Sequence, residues 1–187
     1  MSLNRLTRAA LGVAGAFAVS AALAVPAHAV SVVPTTECAT PVITQPFAEW
    51  GDGNWYKRVD GGAFEEVSAG WTLTGGATVA DGVLSLPAGA SAVSAPVCVG
   101  HDEPTLRFFG AGQGGLTVAI QFQLLPGLWI TLPVGRDTGA AWKPSPIIHM
   151  LANYLPAPGD YTNVRFVFTP SGDWQIDDVY VDPRARA

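Results

Sequence analysis

The chain has 187 residues, 49% of them hydrophobic and 13% charged, with 21 Gly, 15 Pro and two Cys. That length and apolar content describe one modest globular domain and exclude a disordered chain. A formal net charge of -5, with the few Lys and Arg scattered, could neutralise few phosphates and argues against a nucleic-acid partner.

At the N-terminus, Arg5 and Arg8 precede an apolar run over residues 9–23, followed by Pro26 and the triplet Ala27-His28-Ala29. Charge, apolar run and small-x-small residues in that order mark residues 1–29 as a secretory signal peptide, cleaved after Ala29. Residues 9–25 are rich in Ala and Gly and barely long enough to span a bilayer, so a permanent anchor is the weaker reading. No Cys follows directly to accept a lipid. Losing Arg5 and Arg8 leaves eight basic residues against 15 acidic ones, a formal charge of -7 for a mature protein expected to be secreted, extracellular and without a stable membrane anchor.

Residues 30–60 carry Pro34, Pro41, Pro46 and Gly51-Asp52-Gly53 with little periodicity, and are expected to form an irregular N-terminal arm. In an exported chain Cys38 and Cys98 read as one disulfide. Closing a loop of that length restricts the unfolded chain by about 4 kcal/mol in the entropy model. The rival reading, half of a metal site, lacks a CxxC or a neighbouring His cluster.

From about residue 61 the texture becomes that of short strands. Trp71-Thr-Leu-Thr, Thr78-Val-Ala and Val83-Leu-Ser-Leu are separated by Gly75-Gly76 and Asp81-Gly82, the second pair a hairpin signal. Residues 91–99 and 105–109 read as two further strands. Leu116, Val118, Ile120, Phe122 and Leu124 then alternate with Thr117, Ala119, Gln121 and Gln123, which predicts a strand buried on one side. Pro126-Gly127 turns this into Leu128-Trp-Ile-Thr-Leu. Residues 147–155 read as a short helix or turn, Val164, Phe166 and Phe168 alternate with Arg165, Val167 and Thr169, and residues 174–181 close the set. Many short strands with Gly and Pro punctuation predict an all-β jelly-roll β-sandwich over residues 61–183, with 184–187 as a tail.

Two stretches carry a family resemblance. Gly61-Gly-Ala-Phe-Glu-Glu-Val-Ser-Ala-Gly-Trp-Thr-Leu-Thr-Gly-Gly-Ala and Gly172-Asp-Trp-Gln-Ile-Asp-Asp-Val-Tyr-Val-Asp resemble the opening and closing strands of galactose-binding-like jelly rolls, especially secreted carbohydrate-binding modules. The chain also looks like uncharacterised secreted bacterial proteins of that fold. By position, Phe64-Glu65 and Asp177 with Asp178 match the family's residues for a structural calcium, so the resemblance implies an ion held by Glu65, Asp177 and Asp178. The residues themselves leave two readings open. Trp174 and Ile176 are out of phase with Val179 and Val181 across Asp177-Asp178, which predicts a bulge there. Adjacent carboxylates at a bulge suit calcium, or one accepts backbone hydrogen bonds while the other is solvated.

Catalytic constellations are poorly represented. Beyond residue 29 only His101 and His149 are available, and no GxSxG, HExxH, P-loop or GxGxxG stands in a suitable setting. His101-Asp102-Glu103 before Pro104 reads as a solvated turn. The aromatics are more informative: Trp71 and Trp174 read as core, whereas Trp129, with Leu128, Ile130 and Leu132 on the opposite face, joins Gln121, Gln123 and Arg165 on a non-core face. Stacking surface plus planar donors and acceptors is what a polyhydroxylated ligand requires. Trp50, Trp55 and Tyr56 around Gly51-Asp52-Gly53-Asn54 form a second candidate loop group, with pinning of the arm as the rival reading. The expected function is therefore a secreted, non-catalytic module binding glycan or cell-wall carbohydrate. The alternative is a structural or protein-interaction domain of the cell envelope without a sugar site.

Overall fold

In the computed structural model, residues 32–35, 38–65, 70–157 and 160–184 are described. The expected signal peptide, its cleavage point and most of the C-terminal tail lie outside the described residues. Three short strands come from the arm: β1 (Pro34–Thr35), β2 (Ile43–Thr44) and β3 (Tyr56–Arg58). Five more follow: β4 (Thr72–Thr74), β5 (Thr78–Ala80), β6 (Val83–Leu86), β7 (Ser91–Val93) and β8 (Val97–Val99). The long strands β9 (Thr105–Gly112), β10 (Leu116–Leu125) and β11 (Leu128–Asp137) lead into the short β12 (Lys143–Pro144) and β13 (Ile148–His149). The chain closes with β14 (Tyr161–Pro170) and β15 (Trp174–Asp182).

These strands form an all-β jelly-roll sandwich of two antiparallel sheets. The first runs β11-β10-β14-β7-β4, with β1 and β8 also paired to β14; the second runs β12-β9-β15-β3-β2, with β13 on β9 and the β5–β6 hairpin on β15. Period two explains the layering. Leu116, Val118 and Ile120 of β10 and Val164, Phe166 and Phe168 of β14 are fully buried against Leu84, Leu106, Phe108, Trp174 and Ile176 of the second sheet. Each large apolar side chain so buried contributes about 1.5–3 kcal/mol. Trp71 and Trp174 are core residues, and their indole N–H groups donate to Asp60 O (3.2 Å) and Gln113 O (3.0 Å), the pairing a buried indole needs.

Turn chemistry follows the sequence signals. Asp81 and Gly82 have φ of 53° and 75°, the paired left-handed conformation of a tight hairpin, and join β5 to β6. Gly127, at φ 82°, turns β10 into β11. The bulge also forms: register slips between Asp177 and Tyr180, Asp178 takes φ 51°, and Trp174, Ile176, Val179 and Val181 are all buried.

Two expectations are revised. Residues 91–99 form two strands, because Ser94 Oγ accepts the Phe166 N–H (2.9 Å) and donates to Ala95 O (2.7 Å), and Pro96 has no N–H to continue a ladder. Within the arm, β2 and β3 extend the second sheet while Phe47 and Tyr56 bury completely against Tyr180, so much of this segment is ordered by tertiary packing. The Cys38–Cys98 disulfide is present.

Candidate functional site

The two sheets turn very different outer faces to their surroundings. On the first, strand register sets Gln121 between Thr131 of β11 and Arg165 of β14, and Gln123 opposite Trp129. Alternation puts all five on the side away from buried Ile120 and Phe166. Gln121 Nε2 donates to Thr131 Oγ1 at 3.2 Å. The Arg165 guanidinium carbon lies 3.8 Å from the centroid of the Trp129 ring, a close cation–π stack reached diagonally across β10. Among the described residues, Arg165 has no carboxylate or hydrogen-bond partner. These five residues therefore share one outer face, with a feature that the sequence alone did not reveal: the indole face toward β14 is occupied by a guanidinium. The diagonal step, Trp129 to Gln123 to Gln121 to Arg165, is the register signal that could have revealed it.

The outer face of the second sheet is covered by the arm. Phe47 packs edge-on to Tyr56 (4.9 Å) and Tyr180 (5.6 Å) and tilts over Phe109 (5.1 Å). Arg107 lies 4.4 Å from the Phe47 ring centre. Its NH1 donates to Asp52 Oδ2 at 2.6 Å, and its Nε and NH2 to Ser145 O at 3.2 and 2.9 Å. Asp52 also accepts from Tyr56 OH (2.6 Å) and Asn54 N–H (3.1 Å). Burial pushes the Asp52 carboxyl up, but these donors outweigh it and hold the group below its ordinary value. Tyr56 is driven well above its usual range by burial and by the Asp52 carboxylate.

Tyr56 is thus no member of an exposed loop group, because its ring and hydroxyl are both consumed in docking the arm. Trp50 is 55% exposed and Trp142 44%, while Trp55 is half-buried. Phe47 and Tyr56, rather than the tryptophans, form the apolar core of the pinning. Glu103 likewise departs from the solvated-turn expectation. It is buried, bonded to Lys57 Nζ at 2.8 Å and to the Gly100 N–H at 2.8 Å, because the arm brings an ammonium to it. His101 and Asp102 beside it are exposed.

Glu65, Asp177 and Asp178 come close enough to influence one another. Burial, followed by the Asp178 and Glu65 charges, pushes the Asp177 carboxyl up to about 6. Yet Asp177 Oδ1 accepts the Asp178 N–H (2.6 Å), and Asp178 Oδ1 lies 3.5 Å from Arg58 NH1. Among the described residues, no group of three or more His, Cys, Asp or Glu is placed to hold a metal ion. Among these residues, the hydrogen-bonded bulge is the arrangement observed.

A cleft of about 640 Å³ lies on the second sheet, lined by Ser85, Gln113, Asp173 and Gln175 with the edge of Trp174. It contains no cation, and its tryptophan belongs to the core. The cleft and the Trp129 face are on different sheets.

No protein-family model and no curated protein matches the chain. Solved structures to which it is similar include carbohydrate-binding modules. A Clostridium thermocellum endo-1,4-beta-D-xylanase chain with CBM22-1 and GH10 modules, complexed with xylohexaose, matches at 14% identity and TM-score 0.49, covering 71% of this chain and 29% of that one. A family 29 carbohydrate-binding module matches at 14% identity and TM-score 0.38, covering 78% and 93%. A CBM61 module, in complex with beta-1,4-galactotriose, matches at 19% identity and TM-score 0.32, covering 76% and 98%. The chain thus spans under a third of the xylanase chain. No residue role is carried from any of them to this protein.

Proposed function

We propose that this protein is an exported, non-catalytic module that binds glycan or cell-wall carbohydrate through the outer face of its first sheet. The observation that supports this reading is the array of Gln121, Gln123, Thr131 and the Trp129–Arg165 stack on three adjacent long strands. A rigid sheet holds these groups at fixed spacing, and planar amides, a hydroxyl and a guanidinium offer several hydrogen bonds to ring hydroxyls at little ordering cost. Exposed Trp50 and half-buried Trp55 on the arm are secondary contact candidates. Export fits the Cys38–Cys98 bridge, since paired thiols persist in oxidising compartments.

A glycan array combined with pull-down on insoluble polysaccharides tests the reading. Binding that Trp129→Ala abolishes is the expected result; silence across both formats overturns it. The alternative, a protein-interaction domain of the envelope, is favoured by one feature. The β10–β11 hairpin tip exposes Leu125 (60%) and Leu128 (47%), and β11 is an edge strand among the described residues, a combination that suits strand addition by a protein partner.

A further inference from the structure

The outer face of the first sheet is set apart by its charge as well as by its shape. Among the described acidic residues, only Asp137 belongs to a strand of the first sheet. It is 6% exposed, stands opposite inward-facing Leu116, and accepts the Gly139 N–H at 2.8 Å, so it is no part of the outer face. Among the described residues, the nearest acid at the rim of β14 is Asp160, five residues before Arg165 and about 17 Å away along an extended strand.

Two arginines occupy this face, which carries no acid among the described residues. Arg165 lies in the centre, and Arg136 stands opposite Thr117 at the other end of β10. The Arg136 guanidinium rests directly on Gly115, where any Cβ would collide with it. Lys57, Arg58 and Arg107 are all spent on carboxylates, whereas Arg136 and Arg165 have none among the described residues. Four residues along β10 and two strand spacings separate them by about 17 Å, a reach suited to a chain of several sugars and too long for one.

The stack itself discriminates between ligand classes. A bare indole would offer its face to a neutral sugar ring, but the Trp129 face toward β14 is taken by Arg165. What the ligand meets there is a guanidinium, a planar fork of N–H donors held 3.8 Å from the ring centre. That fork matches the two oxygens of an oxyanion, and charge-assisted bonds of this kind are about twice as strong as neutral ones. The acidic remainder of the molecule does not cancel the effect, since the Debye length at physiological salt is about 8 Å.

We infer that the outer face of the first sheet recognises an acidic glycan chain, with Arg165 as the central oxyanion reader and Arg136 as a second one along the chain. This rests on the glycan-binding reading above and narrows its ligand class. The shared chemistry is a bidentate oxyanion, supplied by a uronic carboxylate or a sulfate ester.

Affinity electrophoresis through gels containing polygalacturonate, alginate or dextran sulfate, set against methyl-esterified pectin, galactan and unmodified dextran, provides the test. The expected result is retardation by an acidic polymer and not by its neutral counterpart, weakening as salt is raised. Retardation by the carboxylated polymers or by dextran sulfate assigns the oxyanion. Arg165→Gln should lower affinity at least tenfold and Arg136→Gln about threefold. Arg165→Lys should fall short of wild type because it keeps the charge and loses the fork. Lys143→Gln, a basic residue exposed on the other sheet, should leave retardation unchanged. Should Arg165→Gln fail to fold by circular dichroism, competition on wild-type protein by galacturonate against galactose oligomers replaces it. Equal retardation by acidic and neutral polymers, or by neutral ones alone, overturns the acidic specificity and leaves the glycan reading standing. Retardation by none overturns both.

Discussion

Arg107 over Phe47 and Arg165 over Trp129 are the same chemical pair, a guanidinium 4.4 or 3.8 Å from an aromatic ring centre, on the outer faces of opposite sheets. Arg107 spends its donors on Asp52 and on Ser145 O, and the arm lies on top of it. Arg165 has a ring beneath it and none of those partners. A buried guanidinium must be paired or it destabilises the fold, so the first pair is structural by necessity. A half-buried one on an outer face still reaches solvent and tolerates empty donors, so the second can meet a ligand. Partner supply, rather than the stacking motif, separates a latch from a platform.

Four experiments would break or sharpen that contrast, and the largest effect belongs to the covered face. Phe47→Ala should cost about 4 kcal/mol in urea denaturation, since it empties the centre of the Tyr56–Tyr180–Phe109 cluster. A loss below 1 kcal/mol would mean that the arm is not held by this ring.

Arg107→Met keeps the bulk above Phe47 and strands the Asp52 carboxylate. It should destabilise by about 3 kcal/mol, while Asp52→Asn in the same background recovers part of the loss. If the double variant is no better than the single one, the pairing has been misjudged.

Acid titration reads the two carboxylate settings with opposite signs. Asp177 lies above its unfolded value, so its protonation favours the native state: stability gained below about pH 4 is lost as pH rises through about 6. Asp182, raised by burial, acts in the same direction. Asp52 is depressed, so its contribution is present above the unfolded value near 4 and disappears as pH falls through the folded one. Melting temperature should therefore rise from pH 7 toward 5 and fall at lower pH. Asp177→Asn should flatten the rise and Arg107→Met the fall, and an unchanged profile in both would refute the assignment.

The smallest stability effect is expected on the open face. Arg165→Gln should cost about 1 kcal/mol, as a half-buried cation–π contact does, while quenching or shifting the Trp129 fluorescence. A loss as large as that of Arg107→Met would make the second pair a latch too.

The legible parts of the fold were those with local period or turn chemistry. Alternation in β10 and β14, Asp81-Gly82, Pro126-Gly127 and the out-of-phase pairs around Asp177-Asp178 each specify a neighbour only a few residues away. Gln121, Gln123, Trp129 and Arg165 were placed on one face by the same reasoning. Their stacking was not, because it depends on which strands pair and in what register. Phe47 meeting Tyr180, or Lys57 meeting Glu103 across 46 positions, leaves no periodic trace at all. An arm without a repeating pattern reads as irregular even where tertiary contacts order it.

The clasp near Cys98 has a mechanical meaning. β8 belongs to the first sheet and β3 to the second, and Lys57 Nζ spans them by donating to Cys98 O and to Glu103, beside the disulfide from Cys38. The sandwich is thus stitched shut at one corner, whereas the Leu125–Leu128 tip, at the same end of the strands but on the β11 edge, carries no such stitch. Thermal breathing should be lopsided, with amide hydrogens of β3 and β8 exchanging slowest and those at the tip of the β10–β11 hairpin fastest. Under reducing conditions that gradient should flatten from the stitched corner, so the oxidation state of two sulfur atoms would decide from which side the molecule begins to come apart.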